Sequence, residues 1–274
     1  MVVRVKLGFV AGGDWLHDYD LSFLDRPEVL RFIFYPRRDF GAGGGITVMV
    51  DVGEGVRVGC RFYPCGRSGP SILYFHGNGE TAGDYDHVSP FFTGRGINLF
   101  VADYRGYGVS GGVPTITSLL RDAHPVFEKF KEVAAREGEG SLFIMGRSLG
   151  SVPAIELAYH YQDEIKGLIV ESGVANTFTL LLDLFGVRVR ENLRRRLEEA
   201  SNKAKIRKVK TPTLIIHAEN DTLIPVSEAL ELYENSGAEE KELFIIPGAD
   251  HNNLWMVAGE KYYQKIEEFT KRHM

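Results

Sequence analysis

The sequence predicts an α/β fold, a mostly parallel central sheet with helices on both faces. Two observations carry that reading. Six short apolar runs recur between residues 71 and 252, each closed by small or polar residues. Helical apolar patterns separate several of them. Continuous apolar runs suit strands buried on both faces, and strand–helix–strand alternation winds a parallel sheet.

In chain order, residues 1–45 form an N-terminal extension expected to pack on the core. They contain the apolar stretch "LSFLDRPEVLRFIFYPR" and a glycine run, Gly41–Gly45, that looks like a flexible joint. No strand precedes that run and no helix follows, so it is no dinucleotide fingerprint. Residues 46–274 read as one domain, which begins with a hairpin turning at Gly53-Glu54-Gly55 between two β-branched runs. The strand runs are 71–77, 97–106, 141–146, 165–173, 211–221 and 242–252. Helices are expected over 115–136 (kinked at Pro125), 149–161, 227–236 and 256–272. The connection at 174–207 is far longer than an ordinary junction and reads as a small lid insertion. Its first half is apolar, whereas residues 186–210 carry six Arg and four Lys against three Glu, a net +7. That charge reads either as a solvated helical face or as a patch steering anionic substrates.

Composition bounds the function. A net charge of −5 gives no general pull toward nucleic acid or anionic membrane. No run approaches the ~18 apolar residues of a membrane span, and residues 1–10 are too short and polar for a secretory signal. Cys60 and Cys65, an odd number of residues apart in one expected strand, read as free thiols in a reducing compartment. The expected location is cytoplasmic. "HDYD" (17–20) and "DYDH" (84–87) look ligand-like but lack paired ligand spacing, so neither a metal nor another cofactor is expected.

Two G-x-S-x-G frames are present, around Ser110 and Ser148. A nucleophile elbow needs a buried strand leading in, a helix leading out, and glycines that let the backbone turn sharply under strain. Ser148 has "SLFIMG" before it and "LGSVPAIELAYHYQ" after it, while Ser110 lies in a glycine-rich loop ahead of a proline. A serine hydroxyl needs a base, and the base an acid, in the chain order Ser…Asp…His. His251 follows a strand run in a loop, whereas His217 lies inside a run and His273 beside the terminus. Asp221 is favoured as the acid, with Glu219 in reserve; Asp250 adjoins His251 too closely to reach its Nδ1 and reads as a loop cap. Oxyanion-hole donors are expected from the backbone N–H of Leu149 and of Asn78, with Gly79 the alternative to Asn78, and His76 bracing that loop.

Together "LYFHGNGE", "VADYRGYGVSGGVPT", "GRSLGS", "HAENDTLIPV" and "GADHN" resemble the α/β-hydrolase superfamily. They are most similar to its small serine hydrolases marked by HGN, DYRGYG and GRSLG, over residues 46–272. The resemblance implies Ser148, Asp221 and His251 as a catalytic triad, Asn78 and Leu149 as oxyanion donors, and Ser110 in a structural loop. It implies a serine hydrolase of small-molecule acyl substrates, carboxyl ester or thioester, without a cofactor. A peptidase or amidase of the same fold, or a non-catalytic binding protein on this scaffold, are the alternatives. Two departures stand out: Glu80 follows HGNG where relatives often carry a small or amide residue, and Pro153 enters the elbow helix.

Overall fold

A computed structural model of the chain describes residues 21–39, 43–66, 68–138, 140–177 and 191–274. The "HDYD" stretch, Gly41 and Ala42 of the glycine run, and the apolar half of the 174–207 insertion therefore lie outside the described residues. The strands are β1 (Ile46–Asp51), β2 (Arg57–Tyr63), β3 (Ser71–Phe75), β4 (Asn98–Ala102), β5 (Leu142–Arg147), β6 (Gly167–Glu171), β7 (Thr213–Ala218) and β8 (Lys241–Ile246). They form one sheet in the order β1-β2-β4-β3-β5-β6-β7-β8. The hairpin β1–β2 is antiparallel, β2 pairs antiparallel with β4, and every pairing from β4 to β8 is parallel. This is the α/β sheet that the apolar runs predict.

The runs are continuous because both faces are buried. Along β3, Leu73 and Phe75 face one core with α3 (Ile116–Arg121), α4 (Ala123–Arg136) and α5 (Ser151–His160). Ile72 and Tyr74 face the other, closed by a C-terminal helix. Leu21, Leu24, Ile33 and Phe34 of the N-terminal extension are buried in the first core, on either side of and within a helix, α1 (Pro27–Ile33), that the apolar pattern left unread. Further helices are α2 (Ser89–Thr93), α6 (Glu191–Glu199), α7 (Asn202–Ile206), α8 (Val226–Asn235), α9 (Leu254–Ala258) and α10 (Glu260–Arg272). None is long and apolar enough to cross a membrane.

Three local expectations change. The helix over 115–136 breaks at Asp122, ahead of Pro125. Asp122 is buried there against the Arg105 guanidinium (2.6 and 3.0 Å), whereas Pro125 lies in the first turn of α4, where its missing N–H costs nothing. The last helix divides at Gly259, whose φ of +54° suits a residue without a side chain. Cys65 lies beyond the end of β2, so the two cysteines do not share a strand; neither forms a disulfide, and burial pushes the Cys60 thiol well above its ordinary value.

Topology brings loops together. From β3 the chain steps to β4 on one side, then returns to β5 on the other, so the loops after β3 and β5 open at a switch point. After β5, Ser148 takes φ +52° and starts a short 3-10 turn, Ser148–Gly150, that runs into α5. A side chain on Gly150 would overlap the Phe75 and His76 carbonyls, and one on Gly146 would overlap Gly150 and Ala154. Pro153 sits in the first turn of α5, where an N–H lacks a helical partner anyway. Gly150→Ala should therefore cost about 2–3 kcal/mol. Thermal denaturation should show a midpoint lowered by roughly 5–10 °C, and an unchanged midpoint would contradict the close approach.

Candidate active site

Four strands deliver the site. Ser148 follows β5, Gly77–Gly79 follow β3, Asp221 follows β7 and His251 follows β8. All are parallel strands, so the four loops share one edge of the sheet. Backbone bonds from Glu219 N to Ile246 O (3.1 Å) and Asn220 N to Ala249 O (2.9 Å) tie the Asp221 and His251 loops into one unit.

Asp221 is buried, and its Oδ1 accepts the Leu223 and Ile224 amides at 3.0 and 2.8 Å. That local turn aims the other oxygen at His251, with Oδ2 2.6 Å from Nδ1. A carboxylate only accepts, so Nδ1 carries the proton and Nε2 is left to accept. Nε2 lies 3.1 Å from Ser148 Oγ. Burial alone would raise the Asp221 pKa, but the bonds from His251 and Ile224 outweigh it and hold the carboxyl below its ordinary value. The structure thus brings Ser148, His251 and Asp221 into one hydrogen-bonded chain.

The alternatives fall elsewhere. Ser110 is fully buried and its Oγ accepts the Gly59 amide (2.9 Å). Glu219 accepts the Gly248 amide (2.9 Å), and Asp250 holds Asn252 N and Asn253 Nδ2 at 2.9 and 2.7 Å. His217 donates from Nε2 to Ile224 O at 2.9 Å, and burial lowers its pKa, so it is a neutral core histidine.

The loop after β3 is heavily braced. Asn78 gives Nδ2 to Ile33 O (2.6 Å), and its Oδ1 accepts Tyr35 N (3.0 Å) and Tyr107 OH (2.6 Å). Its backbone N–H has no hydrogen-bond partner among the described residues. Leu149 N–H lies in the first turn after β5, where helices leave donors free. The Asp103–Gly108 loop does the bracing: Asp103 Oδ1 meets His76 Nε2 (3.1 Å), Tyr104 OH donates to His76 O (2.5 Å) and Tyr107 holds Asn78. The N-terminal extension adds Tyr35 and Arg37, whose Nε donates to Gly79 O at 3.1 Å. That contribution had no signal in the sequence, since it depends on where the chain folds back.

One group of metal-type ligands exists among the described residues, His124, Glu156 and His160. Lys205 Nζ already lies 2.5 Å from Glu156 Oε2, and His160 Nε2 lies 3.1 Å from Oε1, so the carboxylate has its cation and the cluster reads as a buried ion pair. In "DYDH", Asp84 pairs with Arg37 and Asp86 with Arg61.

The sheet, the elbow and this edge of loops define an α/β hydrolase. The chain belongs to the hydrolase family described as serine aminopeptidase, S33, whose model matches residues 67–179 and 179–255. It is 32% identical over 213 residues to protein bem46 of Schizosaccharomyces pombe, covering 74% of this chain and 67% of that one. It is 29% identical over 238 residues to human alpha/beta hydrolase domain-containing protein 17B, covering 82% and 75%. In fold it resembles an esterase of Pyrococcus furiosus (TM-score 0.69, 22% identity, 87% and 98% covered). It also resembles a monoglyceride lipase of Saccharomyces cerevisiae (TM-score 0.67, 19% identity, 88% and 98% covered).

His76 offers a direct check on the bracing. Burial opposes its charge, but Asp103 at Nε2 and Gly77 O at Nδ1 (2.8 Å) both call for donors, which only the imidazolium supplies, and its pKa is raised. A raised histidine adds stability that is full below its unfolded value of ~6.5 and is lost as pH rises through the folded value. In ¹³C-histidine spectra His76 should titrate above ~6.5 and lose that elevation in Asp103→Asn; a midpoint at or below ~6.5 in wild type would refute the assignment.

Proposed function

We propose that the protein is a serine hydrolase that cleaves carboxyl esters or thioesters through an acyl-enzyme. The observation that carries this is the unbroken chain Asp221 Oδ2–His251 Nδ1 (2.6 Å) and His251 Nε2–Ser148 Oγ (3.1 Å), on a serine held at φ +52°. Ser148 Oγ attacks the acyl carbon as its proton passes to His251 Nε2, and Asp221 stabilises the imidazolium. The developing oxyanion is met by the N–H groups of Asn78 and Leu149. His251 then gives the proton to the departing alkoxide or thiolate. Water, deprotonated by His251, attacks the acyl-enzyme and releases the acid and Ser148. No metal or organic cofactor takes part in these steps.

The esterase and lipase among the fold relatives support the ester preference, and the family's description as an aminopeptidase is the observation that keeps an amide substrate as the second reading. A panel of p-nitrophenyl esters, acyl thioesters and aminoacyl amides separates them. A fluorophosphonate probe should label wild type and leave Ser148→Ala unlabelled. Asp221→Asn should lower kcat by ~10⁴-fold, because the histidine then sits in the wrong tautomer. An unlabelled wild type, or a labelled Ser148→Ala, would sink the reading.

A further inference from the structure

The serine and the histidine are delivered by strands that the sheet does not hold side by side. β8 lies three positions from β5, so His251 and Ser148 share no sheet hydrogen bond. Arg147, the residue before the nucleophile, spans that gap. Its Nη2 donates to His251 O at 2.7 Å and to Asn252 Oδ1 at 3.2 Å. Its Nη1 pairs with Glu80 Oε1, and its Nε lies 3.3 Å from Glu171 Oε1. Glu80 in turn accepts the Gly77 amide at 3.1 Å and Tyr85 OH at 2.8 Å on Oε2. Glu171 Oε2 accepts Tyr262 OH at 2.6 Å and Tyr74 OH at 3.2 Å. One guanidinium therefore reaches the loop before Asn78, the elbow of Ser148 and the backbone of His251.

We propose that Arg147 and Glu80 form a positioning clamp that holds the oxyanion loop and the His251 loop against the nucleophile elbow. This rests on the Ser148 reading above. The planar fork is what the task requires: its separate nitrogens face different partners at once, which a single ammonium cannot reproduce. The guanidinium is nearly buried, at 11% side-chain exposure, so its bonds are little weakened by water. Beside it lies a half-open cavity of about 370 Å³ bounded by Tyr74, Glu80, Tyr85, Arg147, Glu171 and Trp255. Water can enter there when Arg147 is shortened, so loss of the clamp need not unfold the chain. Arg147 touches no reacting atom and acts through the geometry of His251 and the Gly77–Asn78 loop.

The test measures fluorophosphonate inactivation of wild type, Arg147→Met, Arg147→Lys and Glu80→Gln, each checked for a thermal midpoint within about 5 °C of wild type. Arg147→Met should lower the maximal inactivation rate ~100-fold, the cost of a misplacement near 1 Å, with the half-saturating probe concentration changed less than about threefold. Arg147→Lys should recover only part of that loss. Glu80→Gln keeps an acceptor for Gly77 N–H but loses the ion pair, and should fall about tenfold. A folded Arg147→Met within about threefold of the wild-type maximal rate, or a loss confined to half-saturation, would overturn the clamp. If Arg147→Met does not fold, Glu80→Gln decides by the same limits. A wild type that the probe does not label would instead remove the Ser148 reading itself.

Discussion

The close approach of Gly150 to the end of β3 is the constraint on which the rest of the site depends. The backbone of the 3-10 turn is pressed so tightly on the Phe75 and His76 carbonyls that no side chain fits between them. That contact forces the chain to leave β5 through a left-handed serine, because a gentler turn would carry the helix away from the sheet. It also sets the distance between the elbow and the Gly77–Gly79 loop. Everything the proposed chemistry needs from that loop is inherited from two missing side chains. The strain of φ +52° at a serine persists because the surrounding packing leaves no alternative.

A strained turn needs rigid neighbours, and here they are buried polar groups with partners. His76, Asp103, Arg105, Asp122 and Ser110 are all at most 7% exposed. Left unpaired, each would cost several kcal/mol. Instead Asp103 takes His76 and the Ala82 amide (2.7 Å), and Arg105 spans Asp122 and Glu54 (2.7 Å). Such networks contribute little net stability over an apolar core, but they favour one arrangement sharply, since a shifted loop would break several bonds together. The serine of the other G-x-S-x-G frame, Ser110, accepts the Gly59 amide, and the Gly59 carbonyl in turn accepts the Asp103 amide (3.0 Å), so one motif occurs twice in the chain with a different physical basis each time.

How much of this could be read from the residues follows from what is local. The strands were legible because burial on both faces leaves continuous apolar runs, and Ser148 stood apart from Ser110 because its strand and helix adjoin it. Asp221 and His251 were legible by chain order and by lying just past strand ends. Arg147 was not, because its partners Glu80, Glu171 and His251 come from another strand and from other strands' loops, and nothing in "GRSLG" marks the arginine. Glu80 was visible as an oddity without a reason; its partner supplies one. Helix α1 escaped because it is short and ends without a capping side chain, so only its packing identifies it. The helix breaks at Asp122 and not at Pro125, which is hidden for a related reason: a proline advertises itself in a sequence, whereas a buried ion pair to Arg105 does not. Part of the basic segment, too, is less free than its charge suggests, with Lys205 on Glu156 and Lys203 on Glu231.

Those two lysines bear on the insertion that interrupts the domain between β6 and β7. Its ends are closed on each other: Lys203 N donates to Ala175 O (3.0 Å) and Asn202 Nδ2 to Val174 O (2.7 Å). The same base is bonded to the elbow through Ser151, the last letter of "GRSLGS". Ser151 Oγ donates to Ser148 O at 2.7 Å and accepts Val174 N at 3.3 Å and Asn202 Nδ2 at 3.4 Å. Midway along the same helix, Glu156 holds Lys205. Helix α5 is therefore fastened to the returning arm of the insertion at its first residue and at its middle, directly after the 3-10 turn that carries Ser148 and Leu149. A displacement of the insertion's base cannot leave the elbow untouched, because one hydroxyl serves both. Whatever the insertion contributes to substrate choice, its footing is built into the backbone of the nucleophile turn.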